Sequence, residues 1–123
     1  MSGKLKLYDY TDARDRILAL ARPFATVPCV FVSWDNTARR GEKGVIIVNN
    51  SPEAFGHALE TVVSKLKARN DGDSLLFINA WNEWAEGNHL EPCQKLGRGY
   101  LQETRRVLGT FTNRNLEYAG HQS

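Results

Sequence analysis

The feature that most restricts the fold of this chain is the alternation of strand-like apolar runs with segments of helical periodicity. The clearest helix signal follows Ser51-Pro52, where a capping hydroxyl precedes a proline at the first helical position. The apolar residues after it recur at helical spacing: Phe55, Ala58, Leu59, Val62, Val63 and Leu66. Strands that alternate with such helices predict βαβ units and a mainly parallel sheet with right-handed crossovers.

Three strand-then-helix units are predicted. The strands are residues 5–8, 28–33 and 74–80. One helix is capped by Asp12 and ended by Pro23, the second ends at Asn70-Asp71-Gly72, and the third carries its apolar face on Tyr100, Leu101, Thr104, Val107 and Leu108. Val45–Val48 is either an extra strand or an arm of a functional loop. Residues 1–110 are predicted to form one α/β domain and residues 111–123 a C-terminal tail without periodicity.

The chain has 123 residues, whereas a complete (β/α)8 barrel takes about 250. The predicted architecture is therefore a partial (β/α) barrel-like unit, with a mainly parallel sheet of three to four strands and three flanking helices. Such a sheet leaves two open edges. A homo-oligomer, or a partner that supplies the missing barrel strands, is expected to cover them.

Composition excludes several classes of partner. The 16 basic and 14 acidic residues are spread along the chain, so no nucleic-acid partner is predicted. The longest apolar run, residues 27–32, is far shorter than the roughly 20 residues of a membrane span. No secretory signal is visible in the first 20 residues, and the two cysteines form no C-x-x-C pair, so a cytoplasmic protein without a disulfide framework is expected.

Chemically capable residues follow the predicted strands. Trp34–Arg40 comes after the second strand, Trp81–Pro92 after the third, and Asp9 and Tyr10 after the first. Because the carboxyl ends of parallel strands form one rim, the three groups are expected to converge there. The predicted substrate-binding residues are Trp34, Asp35, Asn36, Arg39, Trp81, Asn82, Trp84, His89 and Glu91.

Tryptophans, amides and carboxylates in one cleft suit a sugar, because indole faces cover the apolar face of a pyranose while the polar groups bind its hydroxyls. A sugar phosphate or nucleotide sugar is signalled only by Arg39 and Arg40. Glycosidic cleavage conventionally uses two carboxyl groups, and Glu83 and Glu86 are the predicted catalytic pair. No cofactor and no metal site is predicted, since Glu83, Glu86, His89 and Glu91 follow no HExxH-type spacing.

Other interpretations of the same residues stay open. Trp81 and Trp84 also suit core or interface packing, and Asp35-Asn36-Thr37 also suits turn chemistry with side-chain to backbone hydrogen bonds. His89 also suits a structural role.

The stretch Phe77–Pro92 (FINAWNEWAEGNHLEP) closely resembles the C-terminal hallmark of WbsX-like glycosyltransferases, which are related to the family-99 glycoside hydrolases, the endo-α-mannosidases and endomannanases. Trp34–Arg40 and the helix start Ser51-Pro52-Glu53 are similar to that family too, in the right order. The resemblance covers about Leu7 to Leu108.

The resemblance implies a (β/α)8 barrel and a role in polysaccharide or glycan metabolism. By position, Glu83 would act as base on a sugar 2-hydroxyl that attacks the anomeric carbon, and Glu86 as general acid and then general base. Two departures are visible: the family's barrel begins well before residue 1, and Cys93 stands where an acidic residue is usual after Glu-Pro. A non-catalytic glycan-binding or assembly subunit and a fold-only fragment that oligomerises are therefore alternatives to a hydrolase-like or transferase-like module.

Overall fold

The structure, a computed structural model, describes residues 4–20, 26–69 and 75–119, with side chains up to Gly109. Within these ranges the chain forms a mixed α/β unit with four α-helices and short strands. The helices are α1 (Tyr10–Ala19), α2 (Thr37–Arg40), α3 (Pro52–Arg69) and α4 (Gly99–Ala119). The strands are β1 (Lys6–Asp9), β2 (Cys29–Phe31), β3 (Val45–Val48), β4 (Phe77–Asn79), β5 (Asn82–Glu83) and β6 (Asn88–His89).

The described strands pair as three two-stranded sheets, not as the predicted single sheet. β1 pairs with β3 in parallel, with Lys6 opposite Val45, and β2 pairs with β4 in parallel, with Cys29 opposite Phe77. β5 and β6 form an antiparallel hairpin. The parallel pairs agree with βαβ connections, and the described strands do not close into a barrel.

The segment after β2 explains why β2 and β3 lie in separate sheets. The carbonyl of Trp34 accepts a hydrogen bond from the Ile47 amide at 2.8 Å, and the Asn36 amide donates to the Val45 carbonyl at 3.2 Å. β3 therefore uses one edge for β1 and the other for an antiparallel contact with the chain leaving β2. No edge of β3 is left to align with β2 itself. Val45–Val48 is a strand, one of the two possibilities predicted for it.

The core lies around α3, which packs against α4 and β2. All six apolar positions predicted for α3 are buried, which confirms that helix: Phe55, Ala58, Leu59, Val62, Val63 and Leu66. Tyr100 and Val107 of α4 are also buried, and the Phe55 and Tyr100 rings meet edge to face at 5.6 Å. The two longest helices thus pack through the faces that their periodicity indicated.

Several predicted boundaries differ. α1 begins at Tyr10 because Asp9, not Asp12, is its N-cap and accepts hydrogen bonds from the Thr11 and Asp12 amides. The predicted stop at Pro23 and the predicted loop at 70–72 lie outside the described residues. α4 continues past Thr110 to Ala119, so helical backbone extends into the range assigned to the tail.

Candidate functional site

The loop after β2 and the loop after β4 lie against each other. The Asp35 amide donates to the Glu86 carbonyl at 2.8 Å. Gly87, the next residue, has a φ of +57°, a left-handed conformation that glycine adopts without strain. A Cβ at Gly87 would stand 3.4 Å from the Asp35 Cβ, so the two backbones meet closely at this point.

Glu86 is held from the side by Arg39. The Arg39 Nη1 donates to the Glu86 Oε1 at 2.7 Å, and the two side chains are 63% and 17% exposed. Glu86 belongs to a 3₁₀ turn, Trp84–Glu86, and Arg39 belongs to α2. The ion pair therefore joins one predicted catalytic residue to one predicted substrate-binding residue across the two loops.

Asp35 and Asn36 direct their side chains to their own loop. Asp35 Oδ1 accepts hydrogen bonds from the Thr37 amide at 2.9 Å and from the Thr37 hydroxyl at 2.6 Å. Asn36 Oδ1 accepts from the Val45 amide at 2.7 Å. These bonds are the turn chemistry named above as the alternative, and they fix the backbone from which α2 and Arg39 start.

The β5–β6 hairpin presents the second predicted acid. Asn82 pairs with His89 and Glu83 pairs with Asn88, with the 3₁₀ turn and Gly87 between the strands. Glu83 and Asn82 are both exposed. Glu83 thus faces solvent at the base of the turn, whereas the Glu86 side chain is largely covered.

Trp84, His89 and Glu91 form one packed group. The Trp84 and His89 rings stack with centroids 3.8 Å apart and planes 15° from parallel. The Trp84 Nε1–H donates to Glu91 Oε1, and His89 Nδ1 lies 3.4 Å from the Glu91 carbonyl oxygen. The indole is fixed by these contacts while remaining 52% exposed.

The other two tryptophans differ in exposure. Trp81 is exposed, and its carbonyl accepts hydrogen bonds from the Leu90 and Glu91 amides at 3.0 Å. Trp34 is half-buried, beside β3. Backbone hydrogen bonds of Trp81 and Trp34 thus anchor the loops that carry Trp84 and Arg39.

Asn88 is a site residue that the sequence analysis missed. It is fully buried, and its Oδ1 accepts hydrogen bonds from the Val32 and Ser33 amides, both at 3.3 Å. The Ser33 hydroxyl donates to the Gly87 carbonyl. A polar residue after glycine in a loop carries no sequence signal for burial, so nothing in the sequence distinguished Asn88 from its exposed neighbours.

Asp9 and Tyr10 do not join this group, contrary to the expected convergence of three loops. Tyr10 is fully buried and its hydroxyl donates to the Phe31 carbonyl at 2.7 Å; burial raises the pKa of the phenol. Asp9 caps α1 and accepts from Asn49 Nδ2 at 2.8 Å, a hydrogen bond that lowers the pKa of the Asp9 carboxyl. Tyr10 is buried instead of lying at the rim because its ring packs on Phe31.

Within residues 4–20, 26–69 and 75–119, no group of three or more histidine, cysteine, aspartate or glutamate side chains is arranged to hold a metal ion. In the same ranges no helix combines the length and the apolar character needed to cross a lipid bilayer.

The two loops together carry an acid, a cation and exposed indoles. The chain belongs to the family described as Glycosyltransferase WbsX, and the match to this family covers residues 1–104. Both loops of the site lie within the matched residues.

Two curated relatives are similar to most of the chain. The uncharacterized protein WxcX of Xanthomonas campestris pv. campestris strain B100 is 39% identical over 104 residues, which are 83% of this chain and 15% of the relative. WxcX of strain ATCC 33913 is 41% identical over 97 residues, 78% of this chain and 14% of the relative. The chain thus spans about one seventh of the length of these relatives. No solved structure matches.

Proposed function

We propose that this chain is a carbohydrate-active module in which Glu83 and Glu86 act on a glycosidic substrate. The observation that carries the proposal is the 2.8 Å hydrogen bond between the Asp35 amide and the Glu86 carbonyl, reinforced by the ion pair of Arg39 with Glu86. These contacts unite the two sequence segments that resemble a glycan-processing family. Membership of the WbsX glycosyltransferase family supports a glycan as the substrate class.

The two acids have different surroundings, as two different roles require. Glu83 is exposed and suited to accept a proton from a sugar hydroxyl. Glu86 is largely covered and accepts a hydrogen bond from Arg39. In the proposed cycle, Glu86 protonates the departing glycosidic oxygen and later takes a proton from water. The Arg39 guanidinium therefore has to leave the Glu86 carboxylate during the cycle. Arg39 is 63% exposed, so it has room to turn toward solvent or substrate.

Transfer from a nucleotide sugar is the second chemistry that these residues support. Arg39 and Arg40 lie together at the end of α2, and both are exposed. A guanidinium binds a phosphate oxygen pair in a bidentate manner. A diphosphate that takes Arg39 away from Glu86 would free that carboxylate, which links donor binding to the acid.

The proposal is tested by measuring glycan binding and turnover in the variants Glu83→Gln and Glu86→Gln. Each change keeps the shape of the side chain and removes its acid–base function, so turnover should fall at least a hundredfold. The measurement is hydrolysis or transfer on an array of bacterial surface oligosaccharides, with Glu42→Gln as the control because Glu42 is an exposed acid on the neighbouring loop. Equal sugar affinity and equal turnover in all variants would exclude Glu83 and Glu86 from the function.

A non-catalytic subunit is the alternative that the uncovered strands favour. Leu7 of β1 and Phe77 of β4 are 59% and 61% exposed, although they lie in parallel sheets of a kind normally covered on both faces. Further polypeptide, either a second copy or the remaining strands of a barrel, would cover them. In this alternative the chain binds glycan and shows no turnover even at high protein concentration.

A further inference from the structure

A cleft of about 370 Å³ opens beside the β5–β6 hairpin and does not include Glu83 or Glu86. The stacked rings of Trp84 and His89 line it, and so do Asn50, Lys95 and Tyr100. The volume falls within the range of small-molecule sites in proteins. Asn50 and Lys95 had no role predicted from the sequence, and Tyr100 was predicted only as part of the apolar face of a helix.

Tyr100 and Lys95 supply hydrogen-bond donors to the cleft. The Tyr100 hydroxyl accepts from Asn50 Nδ2 at 3.2 Å, which leaves its own proton to be donated. Burial raises the pKa of Tyr100, so the phenol keeps that proton. Lys95 is exposed and adds a flexible ammonium group.

A further unused donor lies close by. Asn88 is fully buried, and its Nδ2 has no hydrogen-bond partner in the described part of the chain. Its neighbours on both sides, Gly87 and His89, line the cleft, as does Ser33, whose amide donates to Asn88 Oδ1. Unpaired buried donors cost free energy unless a ligand or water accepts from them.

The aromatic lining of the cleft is held in place by neighbouring side chains. Trp84 is fixed by its stack on His89 and by its hydrogen bond to Glu91, so its ring needs no reorganisation before a ligand arrives. An aromatic side chain and hydrogen-bond donors in one cleft match a pyranose, which has an apolar C–H face and hydroxyl oxygens that accept hydrogen bonds. A purely apolar ligand would leave the donors unpaired, and Lys95 alone is too little charge for a phosphate.

We propose that this cleft is a saccharide subsite, separate from the Glu83 and Glu86 carboxylates, in which a sugar ring packs on Trp84 and its oxygens accept from Tyr100 and Lys95. The proposal rests on the proposed function for its substrate class. It adds a second place at which a glycan chain contacts the protein, so that one sugar residue is held beside the hairpin while another reaches the acids.

The test is titration of the full chain with methyl glycosides of glucose, galactose, mannose and N-acetylglucosamine, followed by the indole N–H signals of the three tryptophans in ¹⁵N NMR spectra. At least one glycoside should shift the Trp84 signal while the Trp34 signal stays constant. Tyr100→Phe should weaken that glycoside about five- to tenfold, the effect of one lost hydrogen bond to a desolvated group.

Lys95→Ala is the second variant, because Lys95 is exposed and its loss leaves the core intact. Tyr8→Phe is the matched control, since Tyr8 is an exposed tyrosine on β1, outside the cleft. A parallel readout uses Cys93, which also lines the cleft: in a Cys29→Ser background it is the single thiol, and the bound glycoside should slow its alkylation by iodoacetamide.

The outcomes separate this proposal from the proposed function. Loss of turnover in Glu83→Gln with no effect of Tyr100→Phe and Lys95→Ala on sugar affinity would overturn the subsite and leave the function standing. Weaker binding in both cleft variants, with unchanged behaviour of the glutamate variants, would establish the subsite alone. Absence of any Trp84 shift and of any protection of Cys93 across the panel would also overturn the subsite.

Discussion

At the level of single residues, polar side chains fix the backbone of the two site loops. Asp35 and Asn36 bind the backbone of their own loop, and Asn88 binds the backbone of the segment after β2. Each accepts a hydrogen bond from at least one backbone amide. The rigidity of the loops therefore depends on a few amide and carboxylate oxygens, and the loss of one of them should loosen both loops.

Asn88→Ala is expected to lower the free energy of unfolding by about 1–2 kcal/mol, because the buried Ser33 amide would lose its acceptor, whereas the Val32 amide would keep the Asn79 carbonyl at 3.1 Å. Chemical denaturation measures the change. Asn82→Ala is the control, since Asn82 lies on the same hairpin and is exposed. Equal denaturation midpoints for the two variants would contradict the structural role of Asn88.

Because of Tyr10, we expect the folded chain to lose stability at alkaline pH. Burial raises the pKa of Tyr10 above its ordinary value of 10.0, so the folded chain keeps the phenol proton while the unfolded chain releases it. The contribution is complete below pH 10 and is lost as the pH rises above it, because the unfolded state then binds fewer protons. Thermal melting of wild type and Tyr10→Phe from pH 8 to pH 11 measures this.

In Tyr10→Phe the alkaline decline should be shallower, and stability at neutral pH should fall by about 1 kcal/mol because the Phe31 carbonyl loses its donor. Tyr8→Phe, a change of an exposed tyrosine, should leave the pH profile as it is in wild type. A profile for Tyr10→Phe that is parallel to that of wild type would show that Tyr10 ionises equally in both states.

At the scale of elements, α3 and α4 meet at their first turns. A Cβ on Gly99 would stand 2.7 Å from the Pro52 Cγ, and a prolyl ring cannot swing away as a long side chain can. Gly99→Ala should therefore destabilise the fold by about 1–3 kcal/mol through overpacking. Gly109→Ala, where no atom lies within 4 Å of the added Cβ, should stabilise it by about 0.5–1 kcal/mol through helix propensity.

Urea denaturation of both glycine variants checks this pair of expectations. The two changes add the same methyl group to the same helix, so their opposite signs isolate the contact with Pro52. Stabilisation by both substitutions would mean that the helix starts separate easily and that their contact contributes little to the fold.

Elements with strong periodicity could be predicted from sequence. The six apolar positions of α3 and the run Val45–Val48 follow patterns that local side-chain burial imposes, and the structure contains both elements. The grouping of strands could not be predicted, because the antiparallel contact of Trp34–Asn36 with β3 is made by backbone atoms that every sequence carries. The short β5–β6 hairpin was missed for a similar reason, since Asn82 and Glu83 show no apolar alternation.

The meeting of the two loops could be predicted from the sequence, and their side-chain contacts could not. The order of polar residues after β2 and β4 indicated that Trp34–Arg40 and Trp81–Pro92 meet, and the Asp35–Glu86 hydrogen bond shows that they do. The Arg39–Glu86 ion pair and the Trp84–His89 stack depend on the left-handed turn at Gly87. A glycine signals such a turn without saying which side chains it brings together.

At the scale of the whole molecule, apolar strand residues remain uncovered. Phe77 lies opposite Cys29 in the β2–β4 register, and both are exposed. Phe77→Glu is therefore expected to weaken self-association at least tenfold, because a carboxylate would have to be desolvated in the interface. Sedimentation velocity over a range of protein concentrations measures the association.

Ser64→Glu supplies the control for that experiment, since it adds the same charge to an exposed position of α3. A wild-type chain that sediments as a monomer at every concentration would contradict self-association and favour a different polypeptide as the cover. Association that is equally tight in Phe77→Glu would place the interface elsewhere.

The pairing of β2 with β4 also sets an order of events during synthesis. Cys29 and Phe77 stand 48 positions apart (77 − 29), a distance that a ribosome covers in roughly 2–10 s at about 5–20 residues per second. All of α3 is translated in that interval, before β4 exists. The nascent chain therefore has time to lay this amphipathic helix on β2 before β4 is made, and α4, which covers α3, follows later still.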